Sequence, residues 1–193
     1  MRKVFIDCGA NNGSSVRKFK KEIQDANAYE IYSFEADPIF NKNFPIDGVR
    51  YHNRAVWIND EEITFFRIDV NKKGKRGPTE AGTLIEAKND WNINKAGHKS
   101  FVEVNVKAID FDAWIRNNFS VNDHIVLKLD IEGAEYEVLD HMFENGSIKY
   151  INVLLYEFHN RKCGKPVEDD KALLEKLNKY NIKCGEWDAG GYS

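Results

Sequence analysis

Ile125-Val126-Leu127-Lys128-Leu129 is an almost unbroken apolar run that stops at an acid, Asp130, and the same design recurs along the chain. Val4-Phe5-Ile6 stops at Asp7, the β-prone Glu30 to Phe34 stops at Glu35, and the run Tyr150 to Phe158 carries Glu157, with His159 just beyond. A run as apolar as 125–129 suits a strand buried on both faces, which is the condition of a parallel sheet. Turn residues and helical spacing follow: Gly9 to Gly13 leads into Ser14 to Phe19, and Ala134 to Phe143 has Gly146 just past its end. Asp169 to Tyr180 reads as a further helix and Val49 to Asn53 as a short third strand. Strands alternating with helices predict an α/β fold whose mostly parallel sheet carries helices on both faces.

Two further runs, Glu62 to Val70 and Phe101 to Ile109, alternate in polarity and predict a side hairpin or edge pair. The stretch 71–100 between them, with the turn Gly77-Pro78 and Trp91, is too long for a plain connector and is expected to be either an active-site lid or simply a mobile segment. A length of 193 residues suits a single domain over 1–193, and 42% hydrophobic with 31% charged residues suits a soluble globule. A formal charge of -3 provides no field to gather nucleic acid or an anionic membrane, and no apolar segment is long enough for membrane insertion or export. Cys8, Cys163 and Cys184 have neither zinc-site nor disulfide-framework spacing, which favours a reducing, cytoplasmic location.

In an open parallel sheet the ligand lies outside the carboxyl ends of the strands, near the point where strand order reverses. The residues expected there are Asp7, Glu35, Asp130, Glu132, Glu157 and His159. An acidic rim of this kind repels a pyrophosphate and stabilises a ligand bearing an ammonium, a sulfonium and a ribose diol. Gly9 and Gly13 allow the first loop to turn tightly, although the spacing is not that of a dinucleotide-binding fingerprint. Glu35, ending the second strand, is placed to accept both ribose hydroxyls.

Four motifs in order, Val4 to Gly13, Ser33 to Pro38, Asn53 to Val56 and Leu127 to Glu135, resemble the FkbM family of methyltransferases. The resemblance implies a Rossmann-like methyltransferase fold, S-adenosylmethionine as cofactor, and methyl transfer to a hydroxyl oxygen, often on a sugar or glycan. Carried over by position, it puts Asp7, Gly9, Asn11 and Gly13, with Ala10 and Asn12 between them, along the methionine part. Glu35, beside Ala36, holds the ribose; Ala55 and Val56 lie near the adenine; Asp130 closes the site near the reacting methyl. Methyltransferase sheets usually finish with an antiparallel hairpin, yet this chain stops soon after its sixth expected strand, as a domain cut from a longer protein would.

Methyl transfer from a sulfonium requires alignment of the acceptor and removal of a proton from a weakly acidic hydroxyl. The expected base is His159, with the carboxylates Asp130, Glu132 and Glu157 as the other candidates; Glu157 and His159, two apart on an extended strand, point to the same side. A divalent metal such as magnesium, held by Asp130, Glu157 and His159, is the alternative device. Trp91, Trp57 and Tyr156 are candidates for packing against a sugar ring. Glu135 and Glu137 are expected to be solvated, with Glu135 near the amino end of its helix. The basic clusters Arg17 to Lys21 and Lys72 to Arg76 keep a nucleic-acid methyltransferase open, and a non-catalytic cofactor-binding module is the competing class.

Overall fold

A computed structural model describes residues 1–68, 81–94 and 101–187. The apolar runs form β1 (Lys3–Cys8), β2 (Tyr29–Phe34) and β3 (Val49–His52), followed by β4 (Ala55–Trp57), β5 (Glu62–Ile68) and β6 (Phe101–Asp110), and then β7 (His124–Leu129), β8 (Ile151–Tyr156) and β9 (Lys183–Glu186). Six of these make one sheet in the order β3-β2-β1-β7-β8-β9, and every neighbouring pair is parallel. The order reverses between β1 and β7, where Cys8 stands beside Leu129, so the loops leaving these two strands diverge and leave a crevice at their carboxyl ends.

The helices are α1 (Ser14–Glu22), α2 (Glu86–Asn94), α3 (Phe111–Asn118), α4 (Glu135–Asn145) and α5 (Val167–Lys179). Alternate residues of the central strands serve opposite faces, as a pleated strand requires. Val4, Ile6, Ile125 and Leu127 pack with Phe111 and Ile115 of α3, Leu139 and Met142 of α4, and Leu177 of α5. Phe5 and Val126 face the other way, onto Val16 and Phe19 of α1, with the Phe5 and Phe19 rings stacked at 3.9 Å. Each such large apolar side chain stabilises the fold by about 1.5–3 kcal/mol relative to exposure. The expected sheet, covered on both faces, is what these contacts produce.

β5 pairs antiparallel with β6 from Glu62 opposite Lys107 to Ile68 opposite Phe101, the expected edge pair, and β4 joins β6 in parallel to complete a second, three-stranded sheet. Two elements go beyond the sequence expectation. α3 starts where the Asp110 carboxylate accepts the Ala113 N–H at 2.9 Å, a cap that contributes about 1 kcal/mol. β9 lies directly against β8 and parallel to it; among the described residues no antiparallel strand completes the sheet. The expected lid is described only at 81–94, which includes α2; 71–80, with Gly77-Pro78 and the Lys72 to Arg76 cluster, and 95–100 lie outside the described residues, as do the Trp91 side chain and 188–193. Among the described residues no helix is long and apolar enough to cross a membrane.

Candidate active site

The first loop is bound to the strands on both sides of it. Gly9 and Ala10 donate their N–H groups to Phe34 O at 3.0 and 2.9 Å, and Asp130 N donates to Cys8 O at 3.3 Å. Gly9 has φ +78°, and a Cβ there would stand 1.8 Å from Asp130 O, so only glycine lets the loop lie against the turn that follows β7. Asn11 is also left-handed, at φ 47°, which turns its N–H toward the Glu35 carboxylate.

Glu35 is 7% exposed. Its Oε2 accepts Asn11 N–H and its Oε1 accepts Asp37 N–H, both at 2.7 Å. Each oxygen keeps a second lone pair, which is what a ribose diol needs. Burial pushes this carboxyl up to about 7 despite those two hydrogen bonds. Asn53 Nδ2 donates to Glu35 O at 2.8 Å and to Ala36 O at 3.3 Å, tying the Asn53 to Val56 motif to the end of β2. Ala55 and Val56 are both buried, Ala55 in a cluster with Phe65, Val106 and Ala108, and Val56 in the main core.

Lys128 is buried beneath the crevice. Its Nζ donates to Cys8 O at 3.1 Å and Gly9 O at 2.8 Å, and lies 3.3 Å from both Asp7 Oδ1 and Asp130 Oδ2. Burial alone would lower the Lys128 ammonium, but Asp130 and Asp7 outweigh it and hold it charged. Asp7 has no accessible surface, and burial pushes its carboxyl up. It stands behind the loop, against Lys128, while Asp130 keeps an accessible edge at the crevice.

A second cluster follows Asp130. Glu132 is left-handed at φ 57°, a conformation costly for a residue with a side chain, and its carboxylate is paired with Lys88 of α2. Glu135 is fully buried and accepts Ile131 N–H at 2.9 Å and Gly133 N–H at 3.0 Å; His159 Nδ1 lies 3.1 Å from it. His159 Nε2 faces two more carboxylates, Glu132 Oε2 at 3.4 Å and Glu157 Oε1 at 3.5 Å. Beside Glu157, at the carboxyl ends of β8 and β9, opens a cleft of about 420 Å³ with Tyr156, Phe158 and Trp187 among its walls and the acids Glu157, Glu186 and Asp170 around it.

Residues 7–184 match the family model described as the methyltransferase FkbM domain. The chain belongs to the FkbM methyltransferase family. No curated protein and no solved structure gives a significant match. In this FkbM methyltransferase the matched span takes in the first loop, Glu35, the whole turn from Asp130 to Glu135, and His159.

Two expectations about the site change. Glu135 is not solvated; it is the buried acceptor that closes the 130–134 turn, whereas Glu137 is half-buried and paired with Lys165 at 2.9 Å. His159 lies beyond the end of β8 and is only 2% exposed. Burial would lower its imidazole, but the contacts with Glu135 and Glu157 and the charge of Glu132 outweigh that and push it up to about 10. It therefore already carries a proton at neutral pH. Glu132 is raised by burial against the opposing pull of His159 and Lys88, while Glu157, with a side chain 52% exposed, is lowered by His159.

The same charges bear on a metal. Asp130, Glu135 and His159 bring ligand atoms within 4.8 Å of one another. Glu135 is committed to two backbone N–H groups, Asp130 is paired with Lys128, and both His159 nitrogens face carboxylates. Magnesium requires near-octahedral oxygen ligands, and here the positions beside the carboxylates are held by Lys128, Lys88 and the imidazolium. This donor set does not fit the ion. Sequence reasoning missed the roles of Lys88, Lys128 and Glu135; Lys128 had a signal as the one charged residue inside the most apolar run, and Glu135 as the last residue of the Leu127 to Glu135 motif.

Proposed function

We propose that the protein transfers the methyl group of S-adenosylmethionine to a hydroxyl of a sugar or glycan. The observation that carries the cofactor assignment is Glu35, a nearly buried carboxylate whose two oxygens each accept one backbone N–H and retain a lone pair for a ribose diol. Gly9 to Gly13 and Asp130 flank it across the β1/β7 crevice, and the accessible Asp130 carboxylate suits the positive end of that cofactor. When bound there, the cofactor supplies an electrophilic methyl.

The chain's own task is then to orient the acceptor and take its proton. Among the carboxylates of the second cluster Glu132 suits this best, since burial raises its proton affinity, whereas His159 lowers that of Glu157. His159, cationic and fixed by Glu135, holds the two outer carboxylates in place. Acceptor binding falls to the cleft beside Glu157: stacked Tyr156 and Phe158 rings, 4.2 Å apart, and Trp187 offer apolar faces to a sugar ring, and the surrounding acids accept hydroxyl donors. An acidic cleft disfavours a phosphate backbone. Three of the four basic residues of α1 are also engaged within the molecule, Arg17 and Lys20 on the carbonyls of Asn12 and Asp47, and Lys18 over the Trp187 ring.

Incubation with labelled S-adenosylmethionine and a panel of neutral sugars, glycans, DNA and RNA tests this reading. Label should enter a sugar fraction as an O-methyl ether, and Glu132→Gln should abolish incorporation while cofactor affinity stays constant. Incorporation into nucleic acid alone would overturn the acceptor class, and undiminished transfer by Glu132→Gln would overturn the base.

A further inference from the structure

We propose that Lys88 is a positioning residue for Glu132, holding that carboxylate ionised and oriented in the turn after β7. The inference deepens the proposed function and rests on it for the catalytic role of Glu132.

Lys88 belongs to α2, a helix with no apolar stripe and hence no packing reason to bury a lysine, yet it has no accessible surface. A lysine ordinarily keeps its ammonium in water, and one this deep is expected only where a fixed anion meets it. That anion is Glu132, whose side chain is 16% exposed. The same segment grips the Glu132 main chain as well: Thr83 Oγ1 donates to Glu132 O at 2.6 Å and accepts Ile85 N–H at 3.0 Å. Thr83 is in turn fixed to β5 by paired backbone hydrogen bonds with Phe66 at 2.8 and 3.0 Å. Side chain and backbone of one left-handed residue are thus held by a single segment anchored on a strand.

A buried carboxylate stripped of one cationic partner takes up a proton more readily. The groups facing Glu132 are Lys88 from α2, His159 with Glu157 from the loop after β8, Asp130 from its own turn, and Glu135 of α4 behind His159. Without Lys88 the cluster retains His159 as the one cation in contact with Glu132 among the described residues, and that imidazolium is shared with two other carboxylates.

The test is carboxyl-¹³C NMR of the full chain labelled at glutamate, with the Glu132 resonance assigned by Glu132→Gln. In Lys88→Met the Glu132 titration should move up by about one pH unit or more, and in Lys88→Arg, which keeps the charge, it should return most of the way to wild type. Should Lys88→Met fail to fold, Lys88→Gln gives the same comparison. With S-adenosylmethionine and a sugar acceptor from the screen above, the acid limb of the kcat profile should shift in the same direction while S-adenosylhomocysteine affinity is unchanged. A Glu132 titration unmoved in Lys88→Met or Lys88→Gln overturns the role of Lys88. A moved titration with an unmoved kcat profile leaves the electrostatic pairing standing and instead overturns Glu132 as the base.

Discussion

His159 Nδ1 lies 3.1 Å from Glu135 Oε1, and neither side chain is accessible beyond 1%. This buried pair fastens the loop after β8 to the amino end of α4, and because Glu135 also accepts the Ile131 and Gly133 N–H groups, it fixes the turn that carries Asp130 and Glu132. The ends of β7 and β8 are therefore tied together through one buried pair.

The His159 imidazole is raised in the folded protein from 6.5 to about 10, so its contribution to stability is fully present below pH 6.5 and is lost as pH rises through about 10. Across that window the free energy of unfolding should fall, by at most about 1.4 kcal/mol per pH unit for this one proton. Urea denaturation between pH 6 and 10 measures it. In His159→Gln the same interval should be flatter; an equal slope in both proteins would place the proton elsewhere.

Glu35, pushed up to about 7, is largely protonated in the free protein below that pH and must ionise to accept a ribose diol. S-adenosylhomocysteine affinity should therefore weaken about tenfold per pH unit as pH falls below about 7, and level off above it. Glu35→Gln should bind more weakly at pH 8, by roughly ten- to a hundredfold for loss of a charged acceptor, with no such dependence. Calorimetry from pH 5.5 to 8.5 decides the matter, and a wild-type affinity independent of pH would remove Glu35 from the ribose.

In the cleft at the ends of β8 and β9, Trp187→Ala removes an aromatic wall while leaving the crevice intact. The acceptor KM should rise roughly three- to tenfold, corresponding to about 0.5–1.5 kcal/mol for an aromatic contact. Cofactor affinity should not change. Steady-state kinetics with a sugar acceptor would contradict the assignment if KM were that of the wild type.

Because Lys128, Lys88 and His159 already stand beside the carboxylates, dialysis against a chelator should leave the methyl-transfer rate unchanged, and added magnesium should not raise it. A rate that collapses on chelation and returns with one ion would show that a metal displaces these cations in the working enzyme.

The centre of the parallel sheet was legible because β1, β2 and β7 are buried on both faces, with Glu35 and Asp130 directly after β2 and β7; Asp7, expected at the rim, lies inside β1, buried against Lys128. α3 was harder to see: its apolar residues Phe111, Trp114 and Ile115 fit one helical face, but over eight residues the pattern is short. The burial of Glu135 depends on a histidine 24 residues away, brought near only by the β7–β8 pairing. Lys88 had no signal, since the few apolar residues of α2 form no regular stripe and the lysine is buried by what it meets, not by its spacing. The charge of His159 was hidden for a related reason: Glu157 was visible beside it, but not that Glu132 and Glu135 would converge on the same ring.

The central claim is methyl transfer from S-adenosylmethionine to a hydroxyl oxygen, and mass spectrometry of a sugar acceptor incubated with the protein and methyl-deuterated cofactor tests it most directly. The account predicts a gain of one trideuteromethyl group on oxygen, dependent on Glu35 and Glu132. A cofactor that binds but is never demethylated in the presence of any hydroxyl acceptor, or a label recovered only on nitrogen or carbon, would contradict it.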